Sequence, residues 1–431
     1  MKPSINNTFC YYPFYQLSLK GWEANRGIVE AAPCCNSQRA ENNYDPLKIK
    51  EKIFEYYKKG KPLLPIDIFL GEEFNELRNS MLSGKKHPGC EVCWKMEENK
   101  CSSYRLRSER LIDENIDLND LKILSLDLGL EENCNLRCRM CQPGVSNQLR
   151  KDLKFFKKND ITIDFWEDNL DKKQLQPNSE NDVFYFKSDG EQWKNILDNI
   201  DSIKIIKATG GETLLSKSFN QLLDTAIEKK CADKIILAFH TNATVFTKKI
   251  IDKLNQFKKV SSTFSIDSVG KTYEYIRYPM TWNMLEKSVN KYIRSMDRTK
   301  IDFLYFNSVI TVYSAFNYED YCKWIEQLCL NHDVNARVWI DLSAPEKNPI
   351  NVTYLPHKLL EILLLQLEFL SKKYDFLDCN NVIGHIENVL SKKETADKDK
   401  MLHQINAFDL SRNQDYHDFL NVKLIEFLDE R

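Results

Sequence analysis

Three cysteines in a short run, Cys134-x3-Cys138-x2-Cys141, directly follow a β-prone segment. Three thiolates on one loop can bind three corners of a [4Fe–4S] cube and leave the fourth iron without a protein ligand, free to hold a substrate or a cofactor. Structural zinc is the competing reading, with Cys90-x2-Cys93 and Cys138-x2-Cys141 as two half-sites. It leaves Cys134 unexplained, and it sets a structural metal at the C-terminal end of a strand, where α/β folds place their active sites. A second run, Lys207-Ala-Thr-Gly210-Gly211-Glu212-Thr213, ends the next β-prone segment in a chain with only 13 glycines. Two residues without Cβ let a ligand approach the backbone closely, although such a pair standing alone also makes an ordinary turn.

The elements that must position these residues read as alternating β and α. Short β-rich runs fall at Leu121–Leu128, Ile203–Ala208, Lys234–His240, Val260–Ile266, Phe303–Val312 and Ala336–Leu342. Helix-like segments, Phe219–Lys230, Lys248–Phe257, Trp282–Met296 and Tyr318–Leu330, separate them. Such alternation predicts an α/β fold on a parallel sheet, open or closed into a full or partial barrel. Ahead of it, residues 1–115 form an irregular, cysteine-bearing region with a strand-like Tyr11–Leu19 and an amphipathic Glu73–Leu82. After Cys141 about 60 residues precede the next strand, an insertion near 150–200 whose middle, Asp168–Asp182, is polar and lacks glycine. The chain closes with an apolar-faced Lys358–Lys373, a charged linker Lys392–Lys400 and a helix over Asp415–Arg431.

With 61 Lys+Arg against 63 Asp+Glu the net charge is -2, which argues against a chain whose task is to coat nucleic acid. No signal peptide and no apolar run of membrane-spanning length is read, so a cytoplasmic location is expected. In that reducing compartment 13 cysteines point to metal or catalysis rather than disulfides. Nine lie early: Cys10, Cys34, Cys35, Cys90, Cys93, Cys101, Cys134, Cys138 and Cys141. Cys231, Cys322, Cys329 and Cys379 read as packing residues. Arg105, Arg107 and Arg110 read as a solvated helix face, or alternatively as a patch for an anionic substrate or for shielding a cluster. His240 reads as a packed histidine that could line the pocket.

Cys134 to Cys141 together with Gly210-Gly211-Glu212 resembles the radical S-adenosylmethionine (SAM) superfamily, and the resemblance runs through most of residues 121–345. Thr241-Asn242-Ala243 stands where the family often has Thr-Asn-Gly, and Met140 where many members have an aromatic residue. Ser265-Ile266-Asp267 and Tyr275-Ile276-Arg277-Tyr278-Pro279 are similar to SAM-contacting segments of the branch with an auxiliary twitch or SPASM-type domain. The resemblance implies a partial (β/α)6 TIM-like barrel over 116–345 and a SAM-cleaving cluster on Cys134, Cys138 and Cys141. It further implies that Gly210, Gly211 and Glu212 receive the SAM amino group, that Ser265 and Arg277 hold its carboxylate or ribose, and that Asp267 and Asn242 give support.

The cysteine layout of Cys10, Pro33-Cys34-Cys35 and Gly89-Cys90-x2-Cys93 resembles the auxiliary-cluster domains of that branch. That implies a second [4Fe–4S] cluster on Cys10, Cys34, Cys90 and Cys93, with zinc as the alternative and Cys35 and Cys101 as spare ligands. The expected organisation is thus an N-terminal auxiliary domain at 1–115, the barrel at 116–345 and a helical extension at 346–431. The substrate is expected to be a peptide or a sugar-, cyclitol- or nucleotide-like small molecule, and the reductant a flavodoxin or ferredoxin. A non-enzymatic Fe–S or zinc protein binding nucleic acid or a protein partner is the alternative.

Overall fold

Gln16-Leu-Ser-Leu-Lys20 alternates polar and apolar residues with period two, and it forms a strand, β1 (Gln16–Lys20). β1 pairs antiparallel with β2 (Glu30–Ala32) and parallel with β3 (Ser125–Gly129), which pairs parallel with β4 (Ile205–Thr209). One face of this sheet carries Leu17, Leu19, Leu126, Leu128, Ile206 and Ala208, all buried. The same registers put Gln16, Ser18, Ser125, Asp127, Lys207 and Thr209 on the other face. Such a sheet presents one face to a core and keeps a polar face for other work. The helix Lys217–Glu228 buries Phe219, Leu222, Leu223 and Ala226 at helical spacing, and Ser216 caps it by accepting the Phe219 N–H.

The computed structural model describes residues 8–20, 30–37, 52, 55, 56, 59, 63–98, 103–108, 117, 120–163, 166, 190–342, 348–394 and 396–430. Two compact units divide the chain: 1–131, 176–238 and 256–259 make the first, and 132–175, 239–255 and 260–431 the second. These units run across the expected segments 1–115, 116–345 and 346–431, because β1 of the N-terminal region shares a sheet with β3. Strand β5 (Ile236–Thr241) starts in the first unit and ends in the second.

In the second unit β6 (Lys259–Ser265), β7 (Leu304–Ile310), β8 (Ala336–Leu342) and β9 (Leu377–Asp378) lie parallel in that order. Helices Trp282–Ser295 and Tyr318–His332 intervene and bury Leu285, Val289, Tyr292 and Ile293, and Tyr321, Cys322, Ile325 and Leu328. Each unit therefore has the parallel α/β construction that the six β-rich runs, now β3 to β8, led one to expect. This fits a partial TIM-like barrel.

Three local expectations need correction. Only the second half of Tyr11–Leu19 is strand: Tyr12–Tyr15 makes one helical turn with Pro13 inside it, where a missing N–H costs nothing. The charged stretch Lys392–Lys400 is not all linker, since helix Lys398–Arg412 begins within it and Asp397 caps the Lys400 N–H. The charges at its start masked the buried stripe of Met401, Ile405, Phe408 and Arg412. The closing helix is shorter than 415–431, with a turn at Tyr416–Asp418 ahead of Val422–Asp429. The stretch Asp168–Asp182 of the insertion, Cys101 and Arg110 lie outside the described residues.

Candidate functional site

The loop 134–141 leaves β3 without regular structure, and the second unit ties it down from three sides. Backbone N–H groups of Arg137 and Arg139 donate to the carbonyls of Tyr278 and Ile276 at 2.7 and 2.9 Å. The pairing anchors the loop on both sides of Cys138 to the end of helix Gly270–Ile276 and the turn that follows it. Arg139 is fully buried, donates through Nε to the Tyr275 carbonyl and through Nη2 to Asp409 and Gln414. Arg137 donates to Asp152, whose other carboxylate oxygen accepts from Arg412 at 3.0 Å. Trp166 donates its indole N–H to the Cys141 carbonyl and packs with Leu149, Phe156, Ile163 and Phe408.

Cys134, Cys138 and Cys141 are not joined in disulfides, and hydrogen-bond donors lie near their sulfurs. The Leu136 N–H points at Cys134 Sγ at 3.4 Å, Asn242 Nδ2 at the same sulfur at 3.9 Å, and Arg277 Nη1 at Cys138 Sγ at 3.8 Å. Burial pushes the Cys138 thiol up to about 12 against the opposing pull of Arg277, and burial with the other two thiols pushes Cys141 up as well. Such thiols stay protonated until a cation stabilises their thiolates, and hydrogen-bond donors aimed at sulfur favour that charged form. The donor set fits a three-thiolate cluster.

Asn242 also closes a small network with the loop. It donates to Asn135 Oδ1 at 2.9 Å and accepts from Thr244, whose hydroxyl in turn accepts from Asn135. Thr241 Oγ1 accepts the Ala243 N–H, and Ala243 sits at φ 61. Arg277 is committed on one side: Nε donates to Asp267 at 2.6 Å, and the second Asp267 oxygen accepts the Val309 N–H. Burial works against the Arg277 charge, but Asp267 and Cys138 outweigh it and hold the guanidinium strongly protonated. Ser265 ends β6 half-buried, in register with Asn307 of β7, whose buried Oδ1 has no partner among the described residues. Met140 is half-buried, whereas His240 is exposed and so not the packed histidine expected.

In the first unit the Gly210–Thr213 turn is fixed locally. The Gly211 N–H donates to the Glu131 carbonyl, and a Cβ on Gly210 would stand 3.0 Å from that same oxygen. A side chain at 210 would therefore crowd the Glu131 carbonyl just beyond β3, whatever else approaches the turn. The buried Glu212 carboxylate accepts the Leu214 N–H and so caps its own turn.

The first unit also gathers Cys10, Cys34, Cys90 and Cys93 around one small cavity, with Tyr12, Asn36, Val92 and Arg105 completing the wall. His87 accepts the Gly89 N–H and sets the turn Pro88–Cys90, and helix Glu91–Glu98 then places Cys93 one turn on. Burial raises the thiols of Cys10, to about 12, and of Cys34 and Cys90, with neighbouring thiols adding to the effect at each. Arg105 is not a solvated cation: Glu97 takes its Nε and Nη2, the Phe9 carbonyl its Nη1, and Trp94 lies 4.8 Å from it. Cys35 points elsewhere, beside Tyr104. Among the described residues no group of three His, Cys, Asp or Glu is drawn together for a single metal ion. A four-iron cube takes each thiolate on a separate iron, so four thiols around a common cavity is the donor arrangement it asks for.

Residues 131–326 match the family model of the Radical SAM superfamily. No curated protein sequence matches the chain. Among solved structures it is similar to Streptococcus suis SuiB bound to S-adenosylmethionine, at 13% identity and TM-score 0.34, over 68% of this chain and 60% of that one. SuiB bound to its precursor peptide SuiA gives 12% and 0.37 over 68% and 62%, and anSMEcpe with bound AdoMet and Cp18Cys peptide gives 14% and 0.34 over 62% and 65%. The chain thus spans less than two thirds of the length of these structures.

Sequence reasoning found the thiols and Asn242 but not the side chains that hold the thiol loop: Arg137, Arg139, Asp152 and Trp166 within the matched residues, and Asp409 and Arg412 beyond them. An arginine on each side of Cys138 was the available signal. Asp409 and Arg412 gave none, since a charged residue in a helix reads as solvated.

Proposed function

We propose that the protein is a radical SAM enzyme that removes a hydrogen atom from a substrate, and that a second, auxiliary Fe–S cluster assists it. The observation that supports this most is Cys134, Cys138 and Cys141 outside any disulfide and within the matched residues, with hydrogen-bond donors aimed at the first two sulfurs. When bound, a four-iron cluster with one iron open to SAM supplies the one-electron cleavage of the sulfonium to methionine and a 5′-deoxyadenosyl radical.

The chain's own residues hold, orient and seal. Cys134, Cys138 and Cys141 would ligate the SAM-binding cluster, and Asn242 and Arg277 donate toward two of their sulfurs. Asp267 fixes the plane of Arg277, and Gly210, Gly211, Glu212, Thr241, Ser265 and Met140 are assigned to SAM. Phe156, Trp166 and Phe408 belong to an apolar cluster against which the partly buried Cys141 packs. Cys10, Cys34, Cys90 and Cys93 would close the auxiliary site, with Cys34 rather than Cys35 as the ligand because Cys34 lines the cavity. The substrate is a peptide or a small polar molecule, and an electron-transfer protein of the flavodoxin or ferredoxin kind supplies the reducing equivalent in the cytoplasm.

Anaerobically reconstituted protein with a strong chemical reductant and SAM should release 5′-deoxyadenosine, and a Cys138→Ala variant should not. Equal release by the variant, or none by the native chain under several reductants, would refute the assignment.

A further inference from the structure

The polar face of the first unit's sheet carries three groups in one row. Register places Ser18 of β1 opposite Asp127 of β3, and Asp127 opposite Lys207 of β4, so all three side chains leave the same face at the same level. Neighbouring strands are about 4.8 Å apart, so a ligand the size of one amino-acid unit spans two of these positions. The Ser18 hydroxyl is buried and has no hydrogen-bond partner among the described residues. Asp127 and Lys207 are half-buried, and among the described residues neither makes a hydrogen bond or an ion pair, although they stand on adjacent strands. Lys207 instead leans over the ring of Tyr12, 5.3 Å from its centroid. Tyr12 also lines the four-thiol cavity, and Tyr104, beside Cys35, lies within electrostatic reach of both Tyr12 and Asp127.

Opposite charges that share a half-buried face ordinarily pair, because each otherwise gives up hydration without compensation. A carboxylate and an ammonium left half-exposed and without an ion pair, beside a buried hydroxyl, make a row suited to a ligand's polar groups. We propose that Ser18, Asp127 and Lys207 form a recognition row for a carboxylate flanked by an N–H, the chemistry of an amino-acid unit. Lys207 binds the carboxylate and Asp127 accepts the hydrogen bond from the neighbouring N–H or ammonium, with the buried Ser18 hydroxyl next to Asp127 in the row. A phosphate is disfavoured, because Asp127 repels a dianion and Lys207 is the one cation in the row. Tyr12 makes this row continuous with the thiol cavity. Calling the occupant a substrate rests on the radical SAM reading; the binding itself does not.

The test is saturation-transfer NMR on the full-length protein, with N-acetylglycine, glycine, N-acetylglycine methylamide, acetate and inorganic phosphate as probes. N-acetylglycine or glycine should bind saturably, and the amide and acetate should bind weaker by about ten-fold or more, each lacking one half of the pair. Whichever of the two leads tells whether the source is a peptide end or a free amino acid. Lys207→Met should remove binding of both, and Asp127→Asn should reduce it to the acetate level. Circular dichroism and iron content should match the native protein in both variants, since neither side chain has an ion pair or hydrogen bond to lose and the Lys207 contact with the Tyr12 ring is worth little. Tighter binding of phosphate, no saturable binding by folded protein, or unchanged binding in both variants would overturn the row. So would a loss of fold in both variants, which would make the two charges structural. A protein that binds these probes but never cleaves SAM keeps the row and loses the enzymatic reading, whereas cleavage of SAM with variant-insensitive probe binding does the reverse.

Discussion

Arg139 and Asp409 stand 270 residues apart in the chain and 2.5 Å apart in the second unit, with side chains nearly closed to solvent. The Arg139 guanidinium also lies 3.4 Å from the centre of the Tyr275 ring, so its charge is balanced in the plane and from above. Asp152 repeats the theme by taking Arg137 and Arg412 together. Both arginines belong to the thiol loop and both partners reach helix Lys398–Arg412, so the C-terminal extension is part of the loop's support.

Removing one member of such a cluster strands the others without compensation, at a cost of roughly 3–5 kcal/mol. Asp152→Asn should therefore lower the urea midpoint of the iron-free protein and shorten the time for which reconstituted protein retains iron at the 134–141 loop. Asp152→Glu, which keeps the charge but moves it, should recover part of both. An iron-free stability equal to native would show that Arg137 and Arg412 find other partners and that the clamp does not hold the loop.

Ala243 supplies a gain in stability. Its φ of 61 lies in the left-handed region, where a Cβ costs roughly 1–2 kcal/mol, and it is fully buried with its carbonyl accepting from Ser288. Ala243→Gly removes that strain and returns part of it as added freedom in the unfolded chain. The net expectation is a stabilisation of about 0.5–1 kcal/mol, read as a higher denaturation midpoint of the iron-free chain. A lower midpoint would mean that the Ala243 methyl contributes more packing than its backbone stores in strain.

The two glycines of the 210–211 turn should separate under mutation. Gly210→Ala drives a methyl to 3.0 Å from the Glu131 carbonyl, so it should destabilise the iron-free protein by about 1–3 kcal/mol. Gly211→Val should leave iron uptake intact and weaken SAM binding, measured by equilibrium dialysis, if the turn's backbone receives the SAM amino group. Normal SAM binding by an iron-replete Gly211→Val protein would move that contact elsewhere.

Local chemistry was readable from sequence wherever one segment carries it whole. The spacing of Cys134, Cys138 and Cys141, the β/α alternation and the paired glycines are of that kind. The cause of Gly210 was less legible, because the oxygen that crowds a side chain there belongs to Glu131, in the loop after another strand. Asp409 was not legible at all: a carboxylate in a polar-looking helix becomes the partner of Arg139 only once the chain has folded back. Lys207 and Asp127 fall between these cases. Their alternation with apolar neighbours marks them as strand residues on one face, but only the register shows that they lie side by side, and only the coordinates show that they do not pair.

The four-thiol cavity carries the last prediction. Cys10, Cys34, Cys90 and Cys93 line it together, and Cys35 lies beside Tyr104 instead. A chain with both clusters should hold about eight irons, and Cys90→Ala/Cys93→Ala should retain about four, as expected for two four-iron cubes. The variant should still release 5′-deoxyadenosine, because the 134–141 thiols are untouched, yet fail to complete the substrate's oxidation. Cys35→Ala should keep all eight, which separates the spare thiol from the ligand set. Stoichiometric zinc with about four irons in anaerobically purified native protein would give the cavity to a structural metal. Its four thiolates would then brace the turn Pro88–Cys90 and helix Glu91–Glu98 without passing electrons.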